Sequence, residues 1–170
     1  FDLAGFAVGV VEKKLLLTKN KIKQNDIILA IPSSGLHSNG YSLVRHIVKK
    51  KKLPPKIKKE LLKSTKIYVK EIISLNKKRL INGCANITGG GLLNNLTRVI
   101  PEKLSLNINL KKIKTTEIFK WLKKNNINDD EMLSTFNCGV GFCLIINKKK
   151  INKVKKIFSK KYEPFQIGFV

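Results

Sequence analysis

Short apolar segments alternate with amphipathic ones along the chain, and this alternation constrains the fold more than any other feature of the sequence. The apolar segments are rich in Val and Ile and end in polar or turn residues, which is typical of buried β-strands. The segments between them place apolar residues three or four positions apart, as on one face of a helix. Because strands that alternate with helices form a layered domain, we predict an α/β (α+β) fold with helices packed on a mixed sheet.

The predicted elements follow one another without an internal repeat or a low-complexity linker. Strands are predicted over residues 6–11, 26–31, 80–87, 104–110, 140–146 and 165–170. Helices are predicted from Gly40, after Pro54-Pro55, after Ser64-Thr65, and over residues 92–100, 115–124 and 151–158. The apolar stripe of the second of these helices includes Leu62.

The size and cysteine content of the chain narrow its class. A length of 170 residues suits one compact domain, and a first residue Phe1 with no basic signal sequence leads us to expect a piece of a longer protein. No apolar run approaches the roughly 18 residues of a membrane span, which predicts a soluble protein without membrane contact. Three cysteines without C-x-x-C spacing argue against a disulfide framework or a zinc site and favour the reducing cytoplasm.

The charge of the chain is strongly positive, because 35 Lys and Arg oppose 11 Asp and Glu to give +24. Such a charge suggests a polyanionic partner. However, arginine occurs only at positions 45, 79 and 98, whereas recognition of bases and phosphates favours arginine over lysine. The abundance of Lys, Ile and Asn is typical of AT-rich codons, so we interpret the lysines as a solvated coat. A basic module that binds RNA or DNA remains an alternative, which the lack of a binding motif weakens.

Three glycine-bearing loops lie beside predicted strand or helix ends, where backbone N–H groups point outward and bind phosphates. The first extends from Pro32 to Ser42, between a strand and a helix. Its hydroxyl and amide side chains are able to cap that helix without any ligand. Since His37 and Tyr41 exceed what capping needs, we favour a binding role for this loop.

The other two loops carry weaker signals. Residues 87–91 contain three consecutive glycines, whose entropy cost indicates a closely approaching group or a turn with positive φ. Residues 135–141 lead into a strand and contain two glycines, which a glycine-assisted β-bulge explains as well as a ligand does.

Five stretches of the chain, in this order, resemble the family of phosphoribosylformylglycinamidine cyclo-ligases, also called aminoimidazole ribonucleotide (AIR) synthetases. They are residues 2–10 (DLAGFAVGV), 33–45 (SSGLHSNGYSLVR), 66–70 (KIYVK), 87–98 (ITGGGLLNNLTR) and 131–141 (EMLSTFNCGVG). The second stretch is the most specific, and the resemblance spans the whole chain. Sister enzymes of the wider superfamily, such as selenophosphate synthetase and thiamine-phosphate kinase, are the alternative.

The resemblance implies an ATP-dependent ligase of purine biosynthesis. In this family ATP phosphorylates the formyl oxygen of formylglycinamidine ribonucleotide, a nitrogen then closes the ring, and aminoimidazole ribonucleotide, ADP and phosphate leave. Residues 1–11 would be the last strand of an N-terminal domain that supplies acidic Mg²⁺ ligands, much of the ATP site and a homodimer interface. Residues 12–170 would be the C-terminal domain, which we expect to be inactive alone and to have no specific nucleic-acid partner.

The candidate catalytic residue is His37, which we predict to orient or protonate a reacting oxygen of the substrate. An imidazole at a helix N-terminus opposes the helix dipole but suits bound anions. The alternative is that its ring hydrogen-bonds a backbone carbonyl and holds the loop in shape. We predict that the three loops contact substrate or phosphate through Ser33, Ser34, Gly35, Ser38, Asn39, Gly40, Tyr41, Thr88, Gly89, Gly90, Gly91, Arg98, Asn137, Gly139 and Gly141.

Two stretches depart from the family pattern near the presumed site. Asn86 stands where a histidine is usual, and residues 94–98 read NNLTR in place of ENIPR. Asn86 donates and accepts hydrogen bonds but cannot carry a proton, so any acid–base role at that position would be lost.

Overall fold

The computed structural model describes residues 4–170, which contain five β-strands and seven α-helices. The strands are β1 (Ile27–Pro32), β2 (Gly83–Asn86), β3 (Asn107–Ile108), β4 (Val140–Ile146) and β5 (Phe165–Phe169). The helices are α1 (Tyr41–Lys50), α2 (Pro55–Leu61), α3 (Val69–Lys77), α4 (Gly91–Thr97), α5 (Glu117–Lys124), α6 (Asp129–Thr135) and α7 (Ile151–Lys155). The predicted α/β (α+β) class is confirmed. No helix in residues 4–170 is long and apolar enough to cross a membrane.

The five strands form one sheet in the order β2-β4-β1-β5-β3, and each neighbouring pair is antiparallel. The predicted mixed sheet is therefore wrong. β1 and β2 run in the same direction, which is the usual arrangement of two strands that are connected through helices. Because β4 lies between them and opposes both, these two parallel strands are not neighbours.

Both faces of the sheet are buried, and the alternation of side chains along each strand decides which helix each residue meets. On one face, Ile28 of β1 and Ile145 of β4 share a core with α4. On the other, Leu29 and Leu144 pack with residues of α3 and α7. A third core joins α1, α2, α5 and α6 around Phe119 and holds these four helices together.

Most predicted elements are found within a few residues of their expected bounds, and three details differ. β3 is only two residues long, because it pairs with no more than the last two residues of β5. α6 has no counterpart among the predicted helices. Leu62 is 79 % exposed instead of lying in an apolar stripe, since α2 ends at Leu61.

The predicted strand over residues 6–11 is absent from this chain. Phe6, Val8 and Val10 are fully exposed, and residues 4–11 belong to no element. The reason is that no other strand of the described residues pairs with this segment. Its assignment to an N-terminal domain stays a prediction, and residues 1–3 of that assignment lie outside the described residues.

Candidate functional site

The antiparallel sheet brings the three glycine-bearing loops to one end. The first loop (residues 33–40) follows β1, the second loop (87–90) follows β2, and the third loop (136–139) precedes β4. Because β4 opposes both β1 and β2, its start lies beside their ends. The backbone N–H of Ser33 donates to the Gly139 carbonyl at 2.9 Å, and that of Ile87 donates to the Gly141 carbonyl at 3.1 Å. The loops predicted separately thus form one surface.

Each loop turns through two consecutive residues in the left-handed region of backbone conformation. This conformation costs a residue with a side chain roughly 1–2 kcal/mol, so its repeated use marks tightly constrained turns. The pairs are His37 (φ 52°) with Ser38 (φ 60°), Gly90 (φ 92°) with Gly91 (φ 68°), and Cys138 (φ 52°) with Gly139 (φ 102°).

The imidazole of His37 is buried, and its Nε2 atom accepts a hydrogen bond from the backbone N–H of Ser34 at 3.0 Å. An accepting Nε2 requires a neutral ring that carries its proton on Nδ1. Burial lowers the pKa of His37 below its ordinary value, which also favours the neutral ring. The bond to a backbone carbonyl, which was the alternative to a catalytic role, is replaced by a bond from a backbone amide of the same loop.

Ser34 connects the first loop to the segment before α3. Its hydroxyl donates to the Ser64 carbonyl at 2.7 Å and accepts from the Lys66 backbone N–H at 3.0 Å. The same oxygen lies 3.1 Å from Nε2 of His37. Lys66 and Ser64 belong to no predicted site, although Lys66 opens the third stretch of the family resemblance.

Tyr68 is a second neighbour of His37 that the sequence analysis did not assign to the site. Its ring centroid lies 5.8 Å from that of His37, and its hydroxyl donates to the Pro32 carbonyl at 3.0 Å. A Cβ atom at Gly141 would lie 1.9 Å from the Tyr68 hydroxyl and 2.5 Å from Cε1 of His37. Gly141 is therefore explained by the close approach of these two rings to β4.

The second loop is held by a buried amide. Asn95 of α4 donates through Nδ2 to the carbonyls of Thr88 (3.2 Å), Gly89 (3.3 Å) and Gly91 (2.7 Å). A Cβ atom at Gly91 would lie 1.9 Å from the carbonyl oxygen of Leu133, so this glycine allows α4 to pack on α6. Sequence reasoning missed Asn95, because its residue type does not distinguish it from its neighbour Asn94; its match to the family pattern, which Asn94 lacks, was the available signal.

The predicted binding residues divide into two groups. Some have structural partners: Asn137 donates to the Gly35 carbonyl and accepts from the Gly139 N–H, while the Tyr41 hydroxyl donates to the Leu61 carbonyl. Gly40 lies against the ring of Phe136. Ser33 is buried, and no group within residues 4–170 forms a hydrogen bond with its hydroxyl. The accessible residues are Ser38, Thr88, Gly89 and Arg98, which are exposed, and Asn39 and Gly90, which are half-buried. Two of them also have partners: the Asn39 amide donates to the His37 carbonyl at 2.9 Å, and the Thr88 hydroxyl donates to Oδ1 of Asn95 at 3.3 Å.

The accessible residues lie close together. The side-chain oxygen of Asn39 is 3.6 Å from the position of a Cβ atom at Gly89, which places the first and second loops in contact. The guanidinium of Arg98 is 3.9 Å from the corresponding position at Gly90. Hydroxyl, amide and guanidinium groups on one surface are donors suited to phosphate oxygens. Asn86 is exposed at the end of β2, beside the second loop.

A magnesium ion does not fit the described residues alone. Within residues 4–170, His, Cys, Asp and Glu side chains form no group of three or more that could hold a metal ion. The three loops contain no carboxylate, which is the ligand that Mg²⁺ prefers. The surface formed by the three loops is thus rich in hydrogen-bond donors for a phosphate, but its loops have no carboxylate that would bind Mg²⁺.

Comparisons with known proteins identify the family of the chain. Residues 23–170 match the family described as AIR synthase related protein, C-terminal domain. The chain is 42 % identical to phosphoribosylformylglycinamidine cyclo-ligase of Ligilactobacillus salivarius, over 98 % of the chain and 52 % of the relative. It is 45 % identical to the cyclo-ligase of Enterococcus faecalis, over 99 % of the chain and 52 % of the relative. The chain thus spans about half the length of these curated relatives.

Solved structures with a similar fold come from Thermotoga maritima. T. maritima PurL complexed with AMPPCP has a TM-score of 0.57 at 13 % identity and is matched over 95 % of this chain and 24 % of that chain. PurL complexed with FGAR has a TM-score of 0.57 at 14 % identity, over 95 % and 26 %. These likenesses establish the fold. Together with the family match, they show that the chain belongs to the family of AIR synthase related proteins and carries its C-terminal domain.

Proposed function

We propose that the chain forms the phosphate-binding and substrate-binding half of the active site of an ATP-dependent cyclo-ligase. The reaction closes the ring of formylglycinamidine ribonucleotide to aminoimidazole ribonucleotide, with ADP and phosphate as the other products. The observation that carries this proposal is the convergence of three loops into one donor-rich surface without carboxylates. Relatives that are 42 % and 45 % identical and named as this cyclo-ligase support the choice of reaction.

The accessible loop residues have the chemistry that phosphoryl transfer needs. Negative charge spreads over the phosphoryl oxygens as the bond to the leaving group breaks, and fixed donors stabilise it. Arg98 supplies a planar, permanently charged donor, and Asn39 keeps one amide hydrogen besides the one that it donates to the His37 carbonyl. The Thr88 hydroxyl would turn from Oδ1 of Asn95 to donate to a phosphate. The first backbone N–H groups of α1, which lack partners within the helix, lie at the end of the first loop and add to the same field.

His37 is assigned the role of orienting a reacting oxygen. A neutral ring with its proton on Nδ1 donates one hydrogen bond and has no second proton to transfer. Because Nε2 is engaged by Ser34 and the pKa is lowered by burial, donation from Nδ1–H is favoured over general acid catalysis. Of the two roles predicted from the sequence, orientation therefore suits this geometry better than protonation.

The ligands of the Mg²⁺ ion are assigned to another domain. Mg²⁺ would neutralise the phosphate charges of ATP, and the carboxylates that bind it would come from an N-terminal domain next to this surface. We expect this chain to pack against that N-terminal domain, which would complete the ATP site and provide the interface of a homodimer. The lack of carboxylates in the three loops supports a site formed by two domains.

Fusion of the chain to the N-terminal half of the E. faecalis relative, in place of that enzyme's matching half, tests the proposal. We expect the chimera to form aminoimidazole ribonucleotide with ATP and Mg²⁺, and the 170-residue chain alone to turn over no ATP. Arg98→Ala should raise KM for the phosphorylated substrate by about tenfold or more, since a charge-assisted hydrogen bond contributes roughly 1.5–3 kcal/mol.

Arg79→Asn is the matched control, because it removes the same charge before β2, away from the loop that follows the strand. Asn tolerates the left-handed conformation of Arg79. Equal KM values for the Arg98 variant and the control would contradict the phosphate role. An assembled chimera that consumes ATP without forming the aminoimidazole product would point to a sister enzyme instead.

A further inference from the structure

The hydrogen bonds around His37 depend on one residue. We infer that Ser34 is a positioning residue: its backbone N–H fixes the neutral His37 ring as the Nδ1–H tautomer, and its hydroxyl oxygen is the acceptor available to the protonated ring. The inference rests on the proposed function for its catalytic meaning, because His37 is the group through which Ser34 acts. Its structural part concerns this chain alone.

The positions of the hydrogens settle the neutral state. The Ser34 hydroxyl has one hydrogen, which it donates to the Ser64 carbonyl at 2.7 Å. One lone pair of the same oxygen accepts from the Lys66 N–H at 3.0 Å. The oxygen therefore has no hydrogen left for Nε2 of His37, although the two atoms are 3.1 Å apart. The Ser34 N–H, at 3.0 Å, is the donor that Nε2 accepts from.

The protonated state uses the other polar group of the same residue. A proton on Nε2 abolishes the bond from the Ser34 N–H, since two donors would then face each other. The remaining lone pair of the Ser34 hydroxyl lies 3.1 Å away and accepts the new N–H. Ser34 thus stabilises the neutral ring through its backbone and the protonated ring through its side chain, with opposite effects on the proton affinity of His37.

The other groups near the ring do not replace Ser34. Tyr68, which directly precedes α3, faces the ring, and burial raises its pKa, so its hydroxyl stays neutral. Lys66 extends over the Tyr68 ring at 5.0 Å, but its charge is paired with Glu71 at 2.8 Å. On β4 the ring lies against Gly141, which has no side chain. Ser34 is therefore the residue whose hydrogen bonds decide the state of His37.

Nitrogen-15 NMR of the imidazole rings in the 170-residue chain tests the inference. The chain has two histidines, so His46→Gln assigns the His37 signals without ambiguity. We expect the Nδ1–H tautomer in the unsubstituted chain. In Ser34→Ala, which keeps the backbone N–H and loses the hydroxyl, the tautomer should persist while the proton affinity of His37 falls about tenfold. Ser34→Thr should restore it.

Ser42→Ala, which removes an exposed hydroxyl of α1, is the control and should leave the His37 titration unchanged. Ser34→Cys keeps the size of the side chain with a weak acceptor, and it serves if Ser34→Ala does not fold. Two results would overturn the inference. One is a dominant Nε2–H tautomer, and the other is a titration midpoint of His37 that neither Ser34→Ala nor Ser34→Cys changes.

Kinetics of the chimera separate this inference from the proposed function. Ser34→Ala should shift the acidic limb of the pH–rate profile to lower pH, and Ser34→Thr should return it. An unshifted profile together with a shifted NMR titration would refute the link from Ser34 through His37 to turnover. A chimera without any turnover, with the NMR result as expected, would refute the proposed function and leave the structural part intact.

Discussion

Gly141→Ala is a steric test of the site. The backbone conformation at this position is accessible to alanine, but neighbouring side chains occupy the space that its Cβ atom needs. Gly141 lies in β4, and its φ is outside the left-handed region. The added Cβ would lie 1.9 Å from the Tyr68 hydroxyl and 2.5 Å from Cε1 of His37, whereas ordinary contacts to carbon are about 3.5–4.0 Å. Both rings are anchored by hydrogen bonds to backbone groups, so they cannot move without breaking these bonds.

The magnitude follows from overpacking and from the unfolded chain. Overpacking of a buried site costs about 1–3 kcal/mol. The lower entropy of unfolded alanine offsets about 0.4–1 kcal/mol of this cost. The 1.9 Å approach puts the overpacking cost in the upper half of its range, so the net loss is about 1–2.6 kcal/mol. At roughly 2–4 °C per kcal/mol for a chain of this size, we expect Tm to fall by about 2–10 °C. The measurement is thermal unfolding by circular dichroism.

Two further variants make the result interpretable. Gly35→Ala is the control, because its Cβ would meet ordinary contacts at 3.4 and 3.5 Å, and we expect its Tm to stay close to that of the unsubstituted chain. Tyr68→Phe removes the atom nearest to the new Cβ, so the double variant should be more stable than the sum of the two single effects predicts. A Gly141→Ala chain that melts at or above the unsubstituted temperature would refute the packing of His37 and Tyr68 on β4.

Three other predictions concern His37, Asn86 and the charge. Because the folded-state pKa of His37 is lowered from 6.5, the folded chain binds fewer protons than the unfolded chain just below that pH. The free energy of unfolding should therefore fall as the pH is lowered through 6.5, and His37→Asn should reduce this slope in urea titrations; an unchanged slope would contradict the lowered pKa. Asn86→His in the chimera should raise kcat or leave it unchanged, and a fall with the fold intact would mean that the site has adapted to asparagine. A labelled RNA should bind weakly and be released between about 50 and 200 mM salt, whereas tight, sequence-selective binding at physiological salt would favour a nucleic-acid module.

The local parts of the fold could be predicted from the sequence. β4 has the bounds that its apolar run predicts. A strand that is buried on both faces is a continuous apolar segment, so it can be predicted from the sequence without knowledge of its neighbours in the sheet. α6 was missed despite a local signal: Asn128 accepts from the Glu131 N–H at 2.8 Å, and an Asn followed three residues later by Glu is typical of a helix start. Its acidic first turn is also favourable at that end of a helix.

The parts that could not be predicted depend on contacts between distant residues. The position of β4 between β1 and β2 depends on packing across the whole sheet, so the strand order was not available from periodicity. Tyr68 contacts His37 although the two residues are 31 positions apart in the sequence. Residues 6–11 have a strand-like pattern, yet a pattern does not supply the second strand that a ladder requires.

Apart from Leu96, a buried leucine where the family pattern has isoleucine, the departures from that pattern fall on the accessible side of the site. Asn86, Asn94 and Thr97 are exposed, whereas Asn95, which matches the family pattern, is buried and holds the second loop through three carbonyls. A buried donor with several partners tolerates replacement poorly, because each lost bond leaves an unsatisfied group in the interior. An exposed residue exchanges its partner for water at little cost. The framework that shapes the three loops is therefore intact in this chain, and we expect any difference from its relatives in rate or affinity to arise at the accessible surface that we propose binds the substrate.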